Sequence, residues 1–294
     1  MTSIIFHPNY NAEIGNHVMQ IDKYQKVFDK LNELGIKKQT FHKPIKATFE
    51  ELSLIHSPEY INEFLSGKHT EKTISSELPL DNQITDFFLY ATGGTILAAK
   101  EALKNNYAIN LNGGFHHAFR NKAEGFCYIN DIAVAIAVLQ NKKIINRALV
   151  IDCDLHQGNG TARIFRNDEK VFTFSIHQQN IYPIKEKSNL DIALYDLIGD
   201  TDYLTHLEKN IPKVLASHRP ELVIYQAGAD PFSGDQLGSL KITKKGLKKR
   251  DDFILEKCKE LSIPVAGTLG GGYASNPADT VDIHLQTSLS FINA

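Results

Sequence analysis

Apolar residues recur every three or four positions in several stretches of the chain, which is the spacing of an amphipathic helix. In "IDKYQKVFDKLNELG" this spacing aligns four apolar side chains on one face and reaches a typical helix stop at Gly35. Those side chains are Ile21, Tyr24, Phe28 and Leu31. The same spacing predicts helices in "DYLTHLEKNIPKVLASH" and in "GLKKRDDFILEKCKEL", and the basic residues near the latter are typical of a solvated helix that opens at Thr243.

Continuous apolar runs of strand length lie between the periodic segments. They read "YAINL", "RALVID", "VFTFSI", "ELVIYQAG" and "IPVAGTL", and such runs are typical of strands covered on both faces. Strands that alternate with helices predict a parallel sheet between two helical layers. Because no repeat or low-complexity linker divides the sequence, we expect a single α/β domain over residues 1–294.

Composition narrows the class of protein. The 294 residues are 42% hydrophobic and 22% charged, which describes an ordinary soluble globular protein. The net charge of −2 gives no basic footprint for nucleic acid or for an anionic membrane surface. No apolar run approaches the roughly 20 residues that a membrane-spanning helix needs. These observations do not support a nucleic acid or a membrane as a direct partner.

The amino terminus and the cysteines indicate a cytoplasmic protein. "MTSIIFHPNY" has neither the basic segment nor the long apolar core of a signal peptide. Cys127, Cys153 and Cys258 form neither a CxxC pair nor a disulfide framework, which favours a reducing compartment. Export by a specialised secretion machine stays open at this point, and so does the oligomeric state.

Four of the apolar runs continue directly into segments that carry acids, histidines or a tyrosine. "YAINL" leads to "NGGFHHAF", "RALVI" to "DCDLHQGNG", "ELVIYQ" to "AGADPFSGD" and "IPVAGT" to "LGGGY". In a parallel sheet the carboxyl ends of the strands lie along one edge, where ligands of α/β folds bind. We therefore expect one pocket formed by His116, His117, Asp152, Asp154, His156, Asp230 and Tyr273.

A metal ion explains the acids in this predicted pocket. Asp152, Asp154 and His156 stand at every second position, so a continuing strand would send their side chains to the same side. Buried carboxylates are costly unless a cation compensates them. Asp154, His156 and Asp230 offer two oxygens and one nitrogen, an open ligand set typical of catalytic zinc, although iron(II) also accepts it. Asp152 is then free to hydrogen-bond one of the paired histidines.

Each of these residues also has an ordinary structural explanation. An aspartate at a strand end, such as Asp230, is usually a helix cap or a turn former. A lone histidine is usually not a ligand, Cys153 is typical of a small buried filler, and Tyr273 alone would be a packing residue. The agreement of four strand ends favours a site over this set of separate explanations.

The motifs resemble those of the zinc-dependent histone deacetylase family, within the arginase/deacetylase fold. "GGFHHA", "GFCYINDIAVAI", "DCDLHQGNGT", "FSIH", "GADPFSGDQLG" and "GGGY" stand in the family's order between Leu111 and Tyr273. The "HQGNG" variant and the short chain are most similar to class IV and related bacterial members. The resemblance implies a three-layer αβα domain with a central, mainly parallel, eight-stranded sheet.

The resemblance also implies a catalytic role for each polar residue. Zn²⁺ at the three ligands would polarise an amide carbonyl and bind the attacking water. His117 would act as general base and acid, and His116, paired with Asp152, would act mainly through its charge. Tyr273 would donate its hydroxyl to the developing oxyanion. Asn159 stands where class I members carry an aspartate, and an amide there holds the histidine ring without stabilising its charge.

A substrate tunnel and a second ion are further implications of the resemblance. Phe126 and Tyr182 match aromatic residues of the family's channel, which suits the aliphatic stem of lysine, and Gly125 would leave room beside them. Core packing is the alternative role for both aromatic residues. The resemblance also implies a structural potassium ion, bound mostly through backbone carbonyls, at Asp152, Asp154, His156, Ser175 and Ile176.

The function that the resemblance implies is zinc-dependent deacetylation or deacylation of lysine in a protein or peptide. An amidohydrolase of small acylated amines, such as acetylpolyamines, is the nearest alternative. A non-catalytic acyl-lysine binding module would not need Tyr273, both histidines and all three ligands, and a two-manganese ureohydrolase would need a second ligand histidine and more bridging acids.

We expect "SGKHTEKTISSELPLDNQ" and "HQQNIYPIKEKSNLDIALYDLIGDTD" to form substrate-selecting loops. The preferred acyl chain and the target stay open.

Overall fold

The structure, a computed structural model, describes residues 2–37 and 40–294. Within these residues eight strands form one sheet, and every neighbouring pair is parallel. The strands are β1 (Ser3–Ile5), β2 (Phe41–His42), β3 (Tyr107–Asn110), β4 (Ala148–Asp152), β5 (Val171–Gln178), β6 (Leu190–Leu194), β7 (Leu222–Gln226) and β8 (Val265–Thr268). Their spatial order is β2-β1-β3-β8-β7-β4-β5-β6.

Helices cover the sheet in two groups. They are α1 (Lys23–Glu33), α2 (Phe49–Ser53), α3 (Pro58–Leu65), α4 (Asn82–Asn105), α5 (Asp131–Asn141), α6 (Asn159–Phe165), α7 (Asp200–His218), α8 (Lys244–Glu260) and α9 (Pro277–Asn293). Helix α4 packs on α5 and on β1, β3 and β8, whereas α1, α9, α8 and α7 contact one another in series. The fold is the predicted single α/β domain with its sheet between helices, and the sheet is parallel throughout.

The helices and strands that the apolar patterns predict are confirmed. The first periodic segment forms α1, which ends at Glu33, just before Gly35. Gly35 has a φ of +75°, in the left-handed region that favours glycine. The other two periodic segments form α7 and α8. Thr243 caps α8 by accepting a hydrogen bond from the backbone N–H of Gly246. The five apolar runs form β3, β4, β5, β7 and β8.

One predicted loop is partly wrong. The segment from residue 177 to residue 202 contains the end of β5 and all of β6, which pairs with β5 at the edge of the sheet. Most side chains of β6 are only half-buried, because an edge strand has a neighbour on one side alone. The polar composition that indicated a loop is therefore the composition of an edge strand.

The core lies around the centre of the sheet. Strands β4 and β7 pair with each other, and every residue of both strands is buried. Their large aliphatic side chains include Leu149, Ile151, Val223 and Ile224, all with no exposed surface. Burial of one such side chain stabilises the folded state by about 1.5–3 kcal/mol. This rigid centre ends in the segments that carry the predicted polar site.

No helix in the described residues is long and apolar enough to cross a membrane.

Candidate active site

The predicted site residues follow four adjacent strands at one edge of the sheet. The paired histidines come after β3, the acids of "DCDLH" after β4, Asp230 after β7 and Tyr273 after β8. Because these strands are neighbours in the order β3-β8-β7-β4, their carboxyl ends lie side by side. The four segments therefore meet at the centre of the sheet edge, where the backbone beneath them is fixed by hydrogen bonds on both sides.

Asp154, His156 and Asp230 form the one group of three in the described residues that could hold a metal ion. One possible ligand atom from each lies within 4.8 Å of the others, and all three residues are buried. The Nδ1 atom of His156 lies 3.2 Å from Asp154 Oδ1 and 3.2 Å from Asp230 Oδ2. Strand β4 ends at Asp152, so Asp154 and His156 reach the group from the bend after the strand and not by strand alternation.

Backbone and amide donors orient the two carboxylates of this group. Asp154 Oδ2 accepts hydrogen bonds from Gln226 Nε2 at 2.8 Å and from the N–H of Gly271 at 3.0 Å. Asp230 Oδ1 accepts one from the N–H of Leu155 at 2.9 Å. A Cβ atom at position 271 would lie 2.3 Å from Asp230 Oδ2, so only glycine permits this close approach. Such supporting contacts are typical of metal ligands.

The charges of the group favour a cation. Burial and the charge of Asp154 raise the pKa of Asp230 to about 7, because two buried carboxylates repel each other. Burial alone lowers the pKa of His156, but hydrogen bonds to the two carboxylates and their charges raise it to about 10. A divalent cation satisfies both carboxylates at once, and a set of two oxygens and one nitrogen fits zinc.

The paired histidines differ in their partners. His116 Nδ1 lies 2.7 Å from Asp152 Oδ2, and His117 Nδ1 lies 2.8 Å from Asn159 Oδ1. Burial opposes the charge on His116, but Asp152 and Asp154 raise its pKa to about 9. Burial and the neighbouring histidines hold the pKa of His117 well below its usual value of 6.5. At neutral pH the first ring is therefore cationic and the second is neutral.

A tunnel of about 300 Å³ leads to this group of residues. It is lined by Glu77, His117, Gly125, Phe126, His156, Ile181, Tyr182, Leu237 and Tyr273. A Cβ atom at Gly125 would lie 2.6 Å from the Tyr182 hydroxyl and 2.8 Å from the His117 ring, so glycine leaves room for these side chains. Phe126 lies opposite Tyr273, with ring centroids 5.8 Å apart. The walls are thus mainly apolar, and Glu77 adds a carboxylate that no motif indicated.

Tyr273 is 9% exposed and borders the tunnel. Burial and the charges of Asp230 and Asp154 hold the pKa of its phenol well above 10, so the hydroxyl keeps its proton. Asp235 accepts the N–H of Tyr273 at 2.7 Å, and Lys23 Nζ lies 5.4 Å from the centroid of its ring. The side chain is therefore a neutral hydrogen-bond donor held by its surroundings.

Four residues that support the site were not identified from the sequence. Glu124 accepts a hydrogen bond from Asn159, and Gln226 donates one to Asp154. Asp235 and the buried Lys23 hold the glycine-rich segment before Tyr273, and Lys23 Nζ donates to the carbonyl of Gly270 at 3.1 Å. The supporting residues are Lys23, Glu124, Gln226 and Asp235. None stands in a spacing that indicates chemistry, because each acts through a contact with a distant part of the chain.

The potassium site stays a prediction. Its proposed residues lie on adjacent strands, since Asp152 of β4 pairs in register with Ser175 of β5, and Ile176 follows it. Ser175 is buried, and its hydroxyl lies 2.9 Å from His177 Nδ1. The pairing of the end of β4 with the middle of β5 brings Asp152 beside Ser175, and this placement is compatible with an ion bound mostly by backbone carbonyls.

Comparison with known proteins identifies the family. Residues 17–287 match the model of the histone deacetylase domain, and the chain belongs to the histone deacetylase family. Histone deacetylase 2 of Arabidopsis thaliana is 31% identical over 296 residues, which cover 95% of this chain and 76% of that protein. Histone deacetylase 1 of Homo sapiens is 30% identical over 295 residues, which cover 90% of this chain and 60% of that protein.

Bacterial relatives are similar over a larger share of their length. An uncharacterised protein of Picosynechococcus is 38% identical over 285 residues, which cover 96% of this chain and 95% of that protein. The crystal structure of an HDAC homologue from Aquifex aeolicus matches 98% of this chain and 84% of its own, with a TM-score of 0.84 and 28% identity. The structure of an HDAC homologue complexed with SAHA matches with a TM-score of 0.85, 28% identity and the same coverage. The predicted fold and family are confirmed.

Proposed function

We propose that the protein is a zinc-dependent lysine deacylase, a hydrolase of the linear amide C–N bond of an acylated lysine. Residues 1–294 would act as one catalytic domain. The observation that carries the proposal is that His117, His156 and Tyr273 line one tunnel. Asp154 and Asp230 contact His156 behind this lining, and His116 contacts His117. Membership of the histone deacetylase family supports hydrolysis of an acylated lysine.

The three buried ligands would hold the metal. Asp154 and Asp230 each offer one carboxylate oxygen and His156 offers Nδ1. A zinc ion bound there supplies Lewis acidity, which polarises the amide carbonyl and lowers the pKa of water. Because the hydrogen bonds from Leu155 and Gly271 fix the two carboxylates, the ligands are held in place before the ion binds.

His117 is the general base and acid in this proposal. Asn159 Oδ1 can only accept, so its contact with Nδ1 keeps the ring proton there and leaves Nε2, 3.1 Å from His116 Nε2, as the atom with a lone pair. The lowered pKa keeps His117 neutral at pH 7. Nε2 takes a proton from the attacking water and returns it to the amine that leaves. His116, cationic beside Asp152, stabilises the negative charge that develops on the substrate.

Tyr273 and the tunnel walls position and stabilise the reacting amide. The protonated phenol donates a hydrogen bond to the carbonyl oxygen as it becomes negative, which lowers the barrier more than it strengthens substrate binding. Phe126 and Tyr182 present apolar surface to the methylene stem of lysine. Gly125 keeps the space between them open. An apolar tunnel of about 300 Å³ thus suits an extended aliphatic side chain.

The proposal is tested with peptides that carry one acylated lysine, from acetyl to myristoyl, assayed with the zinc-loaded protein. We expect release of the carboxylic acid and free lysine, with loss of turnover in the His117→Ala variant at unchanged zinc content. The absence of hydrolysis across the whole panel would contradict the proposal and favour a module that only binds acyl-lysine. The panel also identifies the preferred acyl chain.

A small acylated amine is a second candidate substrate, favoured by Glu77. This exposed carboxylate borders the tunnel and has no hydrogen bond or ion pair from its side chain to any residue that the structure describes. It is free to bind a second ammonium group on an acetylpolyamine. Acetylpolyamines assayed beside the peptides distinguish the candidates, because Glu77→Gln should raise KM for a polyamine more than for a neutral peptide.

A further inference from the structure

Asn159 links the proposed base to a carboxylate on another loop. Its Oδ1 atom lies 2.8 Å from His117 Nδ1, and its Nδ2 atom donates to Glu124 Oε1 at 2.7 Å. Glu124 Oε2 in turn pairs with Lys122 Nζ. The side chain of Glu124 is only 16% exposed. A continuous chain of hydrogen bonds therefore runs from the base to a partly buried ion pair.

The orientation of the Asn159 amide decides which nitrogen of His117 carries the proton. An amide can present either its oxygen or its nitrogen to a partner, whereas a carboxylate can only accept. Glu124 therefore holds Nδ2 on its own side and leaves Oδ1 to face His117. The N–H of Gly160 donates to the same oxygen at 3.0 Å and supports this orientation. With the amide reversed, Nδ2 would donate to His117 Nδ1, and the proton would stand on Nε2, where the base needs a lone pair.

We propose that Glu124 is a positioning residue that acts through Asn159 to hold His117 in the tautomer whose Nε2 carries no proton. The inference rests on the proposed role of His117 as base. Glu124 also places a negative charge one side chain beyond the ring, where the neutral Asn159 supplies none. An aspartate in place of Asn159 would need no such partner, since both of its oxygens accept.

A purely structural role for Glu124 would change the kinetics differently from the proposed positioning role. Its backbone closes a tight turn with Cys127 through hydrogen bonds of 3.1 Å and 3.0 Å, and these do not involve the side chain. The turn carries Gly125 and Phe126, both with positive φ, into the tunnel wall. If the side chain only supported this wall, its loss would raise KM, and the increase in KM would be the same whichever residue stands at position 159.

The direct test is the ring ¹⁵N spectrum of His117 in the zinc-loaded protein, assigned with the His117→Ala variant. We expect the shifts of a ring protonated at Nδ1 in the wild type and a mixture of tautomers in Glu124→Met. That change removes the closer acceptor of Asn159 Nδ2 and leaves only the carbonyl of Ile184, at 3.4 Å. Glu124→Gln should keep most of the wild-type shifts, because its amide oxygen can still accept from Asn159. Unchanged shifts in Glu124→Met would overturn the proposal, whatever the activity of the protein.

Turnover supplies a second test through a double-mutant cycle. We expect Glu124→Met to lower kcat by roughly tenfold with little change in KM, a typical cost of losing such a supporting contact. In the Asn159→Asp background the same change should cost nothing or raise kcat, because it removes a repelling carboxylate. Equal losses in both backgrounds would show a structural role and contradict the proposal.

Glu101→Gln is the matched control. Glu101 also pairs with a lysine, Lys104, and accepts from an asparagine amide, Asn105 Nδ2 at 3.3 Å, but it lies on α4 outside the site. We expect wild-type kcat and wild-type His117 shifts in this variant. If wild-type protein hydrolyses nothing and His117→Ala changes nothing, the proposed function fails, while the ring spectrum still decides the role of Glu124.

Discussion

The Nε2 atoms of His116 and His117 lie 3.1 Å apart. Two N–H groups cannot point at each other over this distance, so at most one of the two atoms carries a proton. Burial opposes the charge on His116, but Asp152 and Asp154 raise its pKa to about 9, whereas burial and the adjacent charge lower the pKa of His117. The proton therefore stands on His116, and the lone pair of His117 Nε2 is the acceptor in the pair.

This asymmetry predicts different effects for the two alanine variants. We expect His117→Ala to lower kcat by about 10²–10⁴, because it removes the base. His116→Ala should cost less, since it removes a charge and leaves the base in place. Both effects are measured as kcat at saturating substrate, with zinc content as the control. If only His116→Ala is inactive, the two roles must be exchanged.

Tyr273→Phe should lower turnover by about 10²–10³, the typical cost of one oxyanion donor. Substrate affinity should change little, because the ground-state amide still rests in the tunnel beside Phe126. Single-turnover hydrolysis of an acyl-lysine peptide by both forms measures the effect. Equal rates at equal zinc content would remove Tyr273 from the mechanism.

Removal of a metal ligand should abolish zinc binding. Asp154→Ala leaves Asp230 and His156 as two ligands around one buried site. We expect the purified variant to contain less than about a tenth of the wild-type zinc, because loss of a ligand costs more than the roughly 10–100-fold in affinity that is typical of losing a contact to a ligand. Elemental analysis of both proteins measures this directly. Asp86→Ala, at an exposed ion pair with Lys46, is the control and should retain full zinc. Wild-type protein without any transition metal, and active after chelation, would contradict the metal site.

The pH dependence of kcat/KM should follow the state of His117. Because burial and neighbouring charges lower its pKa, the base stays neutral at pH 7, and activity should fall only as pH drops below 6.5, where protonation removes the lone pair. Asn159→Asp adds a negative charge beside the ring, which raises this pKa and moves the acid limb to higher pH. An acid limb that stays at the same pH in this variant would show that the observed titration is not that of His117.

Arg250 should be essential for stability, since it is fully buried beneath the strand ends. Its guanidinium donates to Asp251 Oδ1 at 2.9 Å and to the carbonyl of Gly228 at 2.7 Å. Arg250→Met leaves Asp251 without its cation and should lower the free energy of unfolding by roughly 3–5 kcal/mol. Urea denaturation measures the loss. Lys248→Met, which breaks an exposed pair with Asp252, is the control and should cost less than about 1 kcal/mol.

Sequence patterns predicted the centre of the fold better than its edges. The runs that form β4 and β7 are buried on both faces and read as continuous apolar segments. Strands β1 and β2 are too short for a pattern, and β6 is half-buried at the edge. Helix α5 is buried almost all round, so its apolar residues show no preferred face and give no amphipathic pattern in the sequence.

The site divides in the same way between residues that motifs identify and residues that only the fold identifies. His116, Asp154 and Asp230 stand directly after strands, so their convergence follows from the order of the sheet. Glu124 and Lys23 do not follow a strand directly, so the order of the sheet does not predict their positions. Lys23 is 1% exposed, although lysine is among the residues least often buried, and its partners are carbonyls of the loop before Tyr273. No periodicity in the sequence distinguishes it from the exposed lysines of α1.

The position of β8 constrains how the protein is made. It is the last strand along the chain, yet it lies between β3 and β7 at the middle of the sheet. Until residues 265–268 have been synthesised, β3 and β7 lack the strand that pairs with both of them, and an unpaired strand edge is a template for aggregation. The same late segment brings Tyr273 and the Gly271 N–H that orients Asp154. The same segment therefore completes both the sheet and the candidate active site, and a chain truncated before residue 265 would lack both.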